Sequence, residues 1–141
     1  MTPFIGYHAG DYMQNWFNMG EKLGDNAPRC FYVNWFRKTD DGKWLWPGFG
    51  ENSRVLKWMC DRVEGKVGAR ETAIGLMPEG SDLTLDGLDI PAEDWEALMA
   101  VDKDGYKVTL ANAKEYLAKF GNKLPTKISE QLVKLEERLN S

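Results

Sequence analysis

The segment 44–54, WLWPGFGENSR, contains residues whose types and spacing suit the binding of a planar ligand. Phe49 lies between Gly48 and Gly50, which free the backbone and let a ligand approach closely. Asn52 combines a carbonyl acceptor with an amide donor, as the edge of a heterocycle requires. The segment therefore predicts an aromatic face beside a polar group that can read a base edge.

Two further rings, Phe36 and Trp44, flank a predicted hairpin turn and are expected to approach each other across its strands. Stacking on aromatic rings stabilises a nucleobase by about 1–3 kcal/mol. Two rings with Asn52 at the edge are thus a physical basis for binding a purine. Rings around a Gly-Pro turn more often pack a corner of the core, and the residues alone leave both interpretations open.

Other catalytic patterns are absent from the sequence. Gly42-Lys43 and Gly65-Lys66 lack the glycine-rich surroundings of a phosphate loop, and no HExxH, EF-hand or nucleophile-elbow pattern occurs. The single histidine, His8, cannot form a metal site without several carboxylates. We assign no catalytic residue and no metal ligand in this chain.

The elements that must position these residues follow from hydrophobic spacing and turn signals. Helices are predicted over 10–19, 52–64, 91–99, 107–120 and 126–139, strands over 29–36 and 43–46 around a turn at 39–42, and a loop with short extended pieces over 66–90. Gly20 and Gly24 are expected to end the first helix, and Asn52 or Ser53 to cap the second. The second helix is expected to bury Val55, Leu56, Met59, Cys60 and Val63.

The fold class predicted is α+β, part of an α/β parent domain, with an aromatic-rich β-hairpin and short strands packed on about four to five helices. We expect 1–141 to be a single nucleotide-binding fragment, with a base-binding part over 1–65 and a mainly helical scaffold over 66–141. Residues 1–58 carry seven Lys/Arg and six Asp/Glu, whereas the remainder carries 11 and 16. Most of the aromatic residues lie in that nearly neutral first part.

Composition excludes several classes of protein. The 12% of aromatic residues argue against disorder, and no apolar run reaches the ~20 residues of a membrane span. The net charge of -4 argues against a general nucleic-acid partner. Residues 1–7 lack the basic and apolar regions of a secretory signal. Cys30 and Cys60 lack metal-ligand spacing and are expected to be reduced, partly buried thiols in a cytoplasmic protein.

Several segments resemble the C-terminal region of GTP-dependent phosphoenolpyruvate carboxykinase. They are NWFRK at 34–38, WPGFGENSRVL at 46–56, MTPFIGY at 1–7 and RETAIGL at 70–76 followed by Pro78. The likeness covers most of the chain and weakens towards its C-terminus. A pattern this long, with fixed spacing, is far more specific than a short motif.

The resemblance implies a guanine site in which aromatic rings enclose the base and an asparagine reads its edge. Phe36 would be one ring and Trp44, where the family commonly has Phe, the facing one. Phe49, Gly50 and Glu51 would line the pocket. Asn52 would hydrogen-bond the guanine.

The resemblance also implies that activity belongs to a longer parent enzyme, which converts oxaloacetate and GTP to phosphoenolpyruvate, CO2 and GDP. GTP or GDP is the nucleotide, with Mn2+ and Mg2+ bound in the parent but not liganded by this chain. The phosphate loop, metal ligands and substrate arginines would lie upstream, so the fragment alone is expected to be inactive. Its partners would be the nucleotide and the remainder of a monomeric parent; isolated, its bared apolar surface would favour self-association.

A second hypothesis is a non-catalytic interaction module. In it, exposed Trp44, Trp46 and Phe49 would bind a peptide, a sugar or another subunit. A plain α+β domain without a ligand of its own is the third.

Overall fold

The chain is mainly helical, and a small two-stranded sheet follows the second α-helix and precedes the third in the sequence. The structure is a computed structural model that describes residues 2–141. Its α-helices and β-strands are α1 Ala9–Leu23, α2 Asn52–Val63, β1 Arg70–Thr72, β2 Gly75–Met77, α3 Ala92–Met99, α4 Lys103–Ala118 and α5 Thr126–Asn140. The two strands pair antiparallel, with Glu71 opposite Leu76. This content confirms the α+β class and five helices over the described residues.

The described residues form two compact units. The first combines the residues up to Pro28 with Asp102–Ser141, and the second is Arg29–Val101. The aromatic segment 44–54 belongs to the second unit.

The first unit contains α1, α4 and α5, whose ends follow from local hydrogen bonds. His8 Nδ1 accepts the N–H of Gly10 at 3.0 Å and so caps the start of α1. Gly20 was expected to end α1, but it lies inside the helix. The helix continues to Gly24, whose φ of 53° suits glycine. In α4 and α5, Leu110 and Leu139 are buried.

Helix α4 begins earlier than the spacing of apolar residues predicted. Asp102 accepts the backbone N–H of Gly105 at 2.9 Å, which starts the helix at Lys103 rather than near residue 107. The predicted helix at 126–139 is confirmed within one residue.

The predicted strand over 29–36 is wrong. The side-chain oxygen of Asn34 accepts the N–H of Phe36 at 3.0 Å, which turns the chain at residues 35 and 36. Pairing in the hairpin is limited to one antiparallel bridge between Lys38 and Trp44. The turn at 39–42 is confirmed, although its flanks are not regular strands.

Helix α2 matches its predicted range, but its predicted cap is wrong. A 3-10 turn, Phe49–Glu51, leads directly into α2, so Glu51 is the cap residue and already has helical dihedrals. The side chains of Asn52 and Ser53 therefore do not cap the helix end.

The predicted buried face of α2 is also partly wrong. Leu56 and Val63 are 52% and 59% exposed, and Cys60 is exposed as well. The helix instead buries Trp58, whose ring meets Phe31 edge to face at a centroid distance of 6.0 Å. The bulkiest side chain of the helix thus decides which face packs inward within this unit.

Cys30 and Cys60 are free, as expected, but both are exposed rather than partly buried. None of the described helices is long and apolar enough to cross a membrane.

Candidate functional site

A tight turn brings Phe36 and Trp44 together. The N–H of Thr39 donates to the carbonyl of Lys43 at 2.9 Å, and Gly42 has a φ of 88° that a side chain would disfavour. The Thr39 hydroxyl also donates to the carboxylate of Asp41, and this hydrogen bond lowers the pKa of Asp41 below its ordinary value. The turn therefore carries its own polar support.

The rings of Phe36 and Trp44 are in contact, which confirms the predicted approach. Their centroids are 6.0 Å apart and their planes meet at 63°. This is an edge-to-face pair. The expected arrangement, in which the two rings face each other with a gap for a base between them, is therefore not present. They form one aromatic surface, in which Phe36 is 73% and Trp44 49% exposed.

Lys38 adds a positive charge to this surface. Its Nζ lies 4.1 Å from the centroid of the Trp44 ring, within the range of a cation–π interaction. The ammonium group neighbours the exposed rings, where it would favour an electron-rich or anionic ligand.

Phe49 is exposed and conformationally strained. Its side chain is 97% exposed, and its φ of 43° lies in the left-handed region. That region costs a residue with a large side chain about 1–2 kcal/mol. Gly48, immediately before it, has a φ of 76° that only glycine adopts readily. The segment thus presents an aromatic ring to solvent at an energetic cost that its packing does not offset.

Asn52 is held by a neighbouring tryptophan. The indole Nε1–H of Trp46 donates to Asn52 Oδ1 at 2.9 Å. Trp46 is only 6% exposed and precedes Pro47, so its ring is fixed in the interior of this unit. This overturns the expectation that Trp46 is an exposed ring of an interaction module.

Arg54 links the site to a second loop. Its guanidinium pairs with the Glu51 carboxylate and donates to the carbonyls of Thr84 at 2.6 Å and Asp86 at 3.0 Å. The hydroxyl of Ser53 donates to the carbonyl of Gly50 at 2.7 Å. These contacts hold residues 50–54 in one arrangement and orient the Glu51 carboxylate towards Arg54.

The hairpin is tied to α3 by a partly buried ion pair. Lys43 Nζ lies 3.1 Å from Oδ2 of Asp94, whose side chain is 8% exposed. Arg37 also donates from Nη1 to the carbonyl of Leu98 at 3.2 Å. Both contacts fix the position of the loop that carries Phe36 and Trp44 within the second unit.

Sequence reasoning missed Trp46 and Arg54 as supporting residues. Trp46 and Asn52 are six positions apart across the Pro47-Gly48 turn, a separation with no helical or strand periodicity. Arg54 reaches carbonyl groups thirty and thirty-two residues away. Neither partnership leaves a local pattern in the sequence.

The described residues contain no group of three or more His, Cys, Asp or Glu that could hold a metal ion. In this part of the chain the side chains therefore offer no ligand set for the Mn2+ and Mg2+ that the resemblance implies for the parent enzyme.

An exposed aromatic loop with a fixed asparagine, on an α+β scaffold, suits the base-binding part of a nucleotide-dependent enzyme. Residues 1–138 match the family described as phosphoenolpyruvate carboxykinase C-terminal P-loop domain. The chain belongs to this family, which confirms the resemblance predicted from its motifs.

Several curated relatives are named phosphoenolpyruvate carboxykinase [GTP]. The chain is 50% identical over 141 residues to that of Corynebacterium efficiens and 48% to that of Corynebacterium glutamicum (strain R). It is 46% identical over 140 residues to that of Arthrobacter sp. (strain FB24). These matches cover 99–100% of this chain but 23% of each relative.

Proposed function

We propose that this chain supplies the guanine-binding part of a GTP-dependent phosphoenolpyruvate carboxykinase. The whole enzyme would convert oxaloacetate and GTP to phosphoenolpyruvate, CO2 and GDP. Family membership supports this proposal, and so does the name of the relatives, of whose length the chain spans 23%. Because the sequence has no phosphate-loop motif, phosphoryl transfer is assigned to the whole enzyme and base recognition to this chain.

The observation that carries the proposal is the state of Phe49. A large apolar ring that is 97% exposed and has a φ of 43° contributes little to the stability of its own fold. Strain of this kind persists where the surrounding structure imposes it, commonly at ligand sites. A base that stacks on Phe49 would bury the ring, and the free energy of stacking would offset the cost of the strained conformation.

In the proposed complex, the base lies between Phe49 and the surface formed by Phe36 and Trp44. Asn52 meets the base edge, which allows discrimination because a wrong edge leaves polar groups unpaired. Gly50 has no side chain to obstruct the base.

Glu51, held by Arg54, lines the pocket in this proposal. Lys38, beside the Trp44 ring, adds favourable charge for a nucleotide.

The partners proposed are GTP or GDP and the remainder of the parent enzyme, which would bind Mn2+ and Mg2+. We propose a cytoplasmic, monomeric parent.

The test compares the affinities for GDP and ADP in the unchanged chain and in a variant at Asn52. The chain should bind GDP more tightly than ADP at millimolar concentrations, measured by the displacement of a fluorescent guanine nucleotide. Asn52→Ala should reduce that preference by about fivefold or more, because one base hydrogen bond is lost. Asn112→Ala, an exposed asparagine on α4, is the matched control and should leave the preference unchanged.

The same substitution in the whole enzyme should weaken the preference for GTP over ATP in kcat/KM. A chain that binds both nucleotides equally, or an Asn52→Ala variant with undiminished selectivity, would contradict the proposal.

A further inference from the structure

The hydrogen bond between Trp46 and Asn52 has a fixed polarity. An indole Nε1–H can only donate, so the amide atom it meets at 2.9 Å must be the oxygen. The –NH2 group of Asn52 therefore occupies the other terminal position of the planar amide and is directed away from the indole. Among the described residues it makes no hydrogen bond to the protein, so both of its hydrogens remain for a ligand.

The burial of Trp46 disfavours any other orientation of the Asn52 amide. The ring is 6% exposed, and Leu45 beside it is 5% exposed. Reversing the Asn52 amide would place two N–H donors against a buried N–H donor and leave the indole unpaired, which is unfavourable in the interior. The orientation of the amide is thus set by a residue that the ligand need not touch.

We propose that Trp46 is a positioning residue that sets base specificity through Asn52. With its oxygen held against the Trp46 indole, Asn52 turns its –NH2 donors towards the ligand, so it favours a base with an acceptor at the edge it meets. The oxo group of a 6-oxopurine, guanine or hypoxanthine, satisfies these donors, whereas the 6-amino group of adenine opposes them. This inference rests on the proposed function, because it requires that Asn52 read the base.

The inference differs from a purely structural role for Trp46. If the ring only filled space, its replacement would lower stability and would weaken all nucleotides alike. If the ring orients the amide, removal of the N–H frees Asn52 to turn its oxygen towards an amino group. The ratio of affinities then changes, which a packing defect alone does not produce.

The test replaces Trp46 with Phe, which keeps an aromatic ring and removes the N–H. Affinities for GDP, IDP and ADP are measured on the 141-residue chain by displacement of a fluorescent guanine nucleotide. The preference for GDP and IDP over ADP should fall by about fivefold, with ADP affinity maintained or increased.

Trp58→Phe is the matched control. Trp58 is also buried, at 5% exposure, but its indole Nε1 has no hydrogen-bond partner among the described residues. This control makes the same change of volume in the same unit and should leave the GDP to ADP ratio unchanged.

A second measurement covers the case in which Trp46→Phe does not fold. In the unchanged chain, the NMR signal of the Trp46 indole N–H should shift when Asn52 is changed to Ala and should stay in place when GDP is added. The Asn52 –NH2 signals should move with GDP and IDP but not with ADP.

The outcomes separate the two proposals. A GDP preference that survives Trp46→Phe, or an indole signal insensitive to Asn52→Ala, would overturn the role of Trp46 and leave guanine binding intact. Equal binding of GDP and ADP by the unchanged chain would overturn both.

Discussion

Phe49 lowers the stability of its own fold, and in the proposed function it would contribute to binding the base. Its left-handed backbone costs about 1–2 kcal/mol, and its exposed ring recovers almost no hydrophobic free energy. Glycine at this position would remove the backbone cost, and it would also remove the ring. Stability and binding are therefore expected to respond in opposite directions to the same substitution.

We predict that Phe49→Gly raises the free energy of unfolding by about 1 kcal/mol, because the strained dihedral is relieved. The same variant should bind GDP at least about fivefold more weakly, since one stacking partner is lost. Urea unfolding and nucleotide displacement measure the two effects. Tyr32→Gly, at another exposed ring, is the control: it should not stabilise the chain. A Phe49→Gly variant that is less stable and binds equally well would contradict both the strain and the stacking.

The residues of the site were predictable to different degrees from the sequence. Phe49 and Asn52 lie in a glycine-rich segment. The flanking glycines made Phe49 a candidate for ligand contact, and the amide group of Asn52 made it a candidate for reading a base edge. The partner of Asn52 was not predictable, because Trp46 reaches it across a Pro-Gly turn that no periodicity describes. The exposed surface was thus predicted, while the buried residue that orients it had to be observed.

Among the elements, helices were predicted well and the hairpin poorly, for a physical reason. Helix α5 is defined by apolar spacing within fifteen residues, which is local information. The strand expected over 29–36 had the right composition, but Asn34 bonded to the N–H of Phe36 and turned the backbone instead. A strand forms only where a second strand pairs with it, and the hairpin contains a single bridge pair.

The hairpin turn should respond to pH through Asp41. The Thr39 hydroxyl lowers the pKa of this carboxyl, so the ionised form is favoured in the folded turn. Its contribution is present above the ordinary aspartate pKa, about 3.9, and is lost as pH falls through the lowered folded value. We predict that Thr39→Val returns the pKa of Asp41 towards the ordinary value, measured by NMR titration of the carboxyl carbon.

Thr39→Ser keeps the hydroxyl and should keep the lowered pKa, so it is the control for a substitution at this position that leaves the hydrogen bond in place. Identical titration midpoints in the Val and Ser variants would show that another group lowers the pKa.

Arg54 connects α2 to the loop at 84–86 and should stabilise both. Arg54→Lys keeps the charge, but an ammonium cannot reach Glu51, Thr84 and Asp86 together as the guanidinium does. We predict that the substitution lowers the free energy of unfolding by about 1–3 kcal/mol. It should also speed amide exchange around residues 84–88.

Arg62→Lys on the same helix is the matched control, because the Arg62 side chain has no ion pair or hydrogen bond within residues 2–141. It should change the stability by less than about 0.5 kcal/mol. Equal effects of the two substitutions would rule out a specific role for the Arg54 contacts.

At the scale of the whole molecule, the chain exposes more apolar surface than its own fold requires. Leu56, Cys60 and Val63 lie at i, i+4 and i+7 along one side of α2, and all three are exposed. We call these three residues the α2 stripe. The chain spans 23% of the length of its relatives, and we infer that the stripe is covered in the whole enzyme.

The isolated chain should therefore associate with itself through the α2 stripe, in line with the self-association that the resemblance led us to expect. We predict that its weight-average mass rises with concentration in sedimentation velocity experiments. Val63→Lys should suppress that rise, because a charged side chain would have to be desolvated at the contact. Val108→Lys is the control: Val108 is 63% exposed, close to the 59% of Val63, but it lies on α4 and outside the α2 stripe. If both lysine variants associate to the same extent as the unchanged chain, the stripe does not mediate self-association and its exposure needs another explanation.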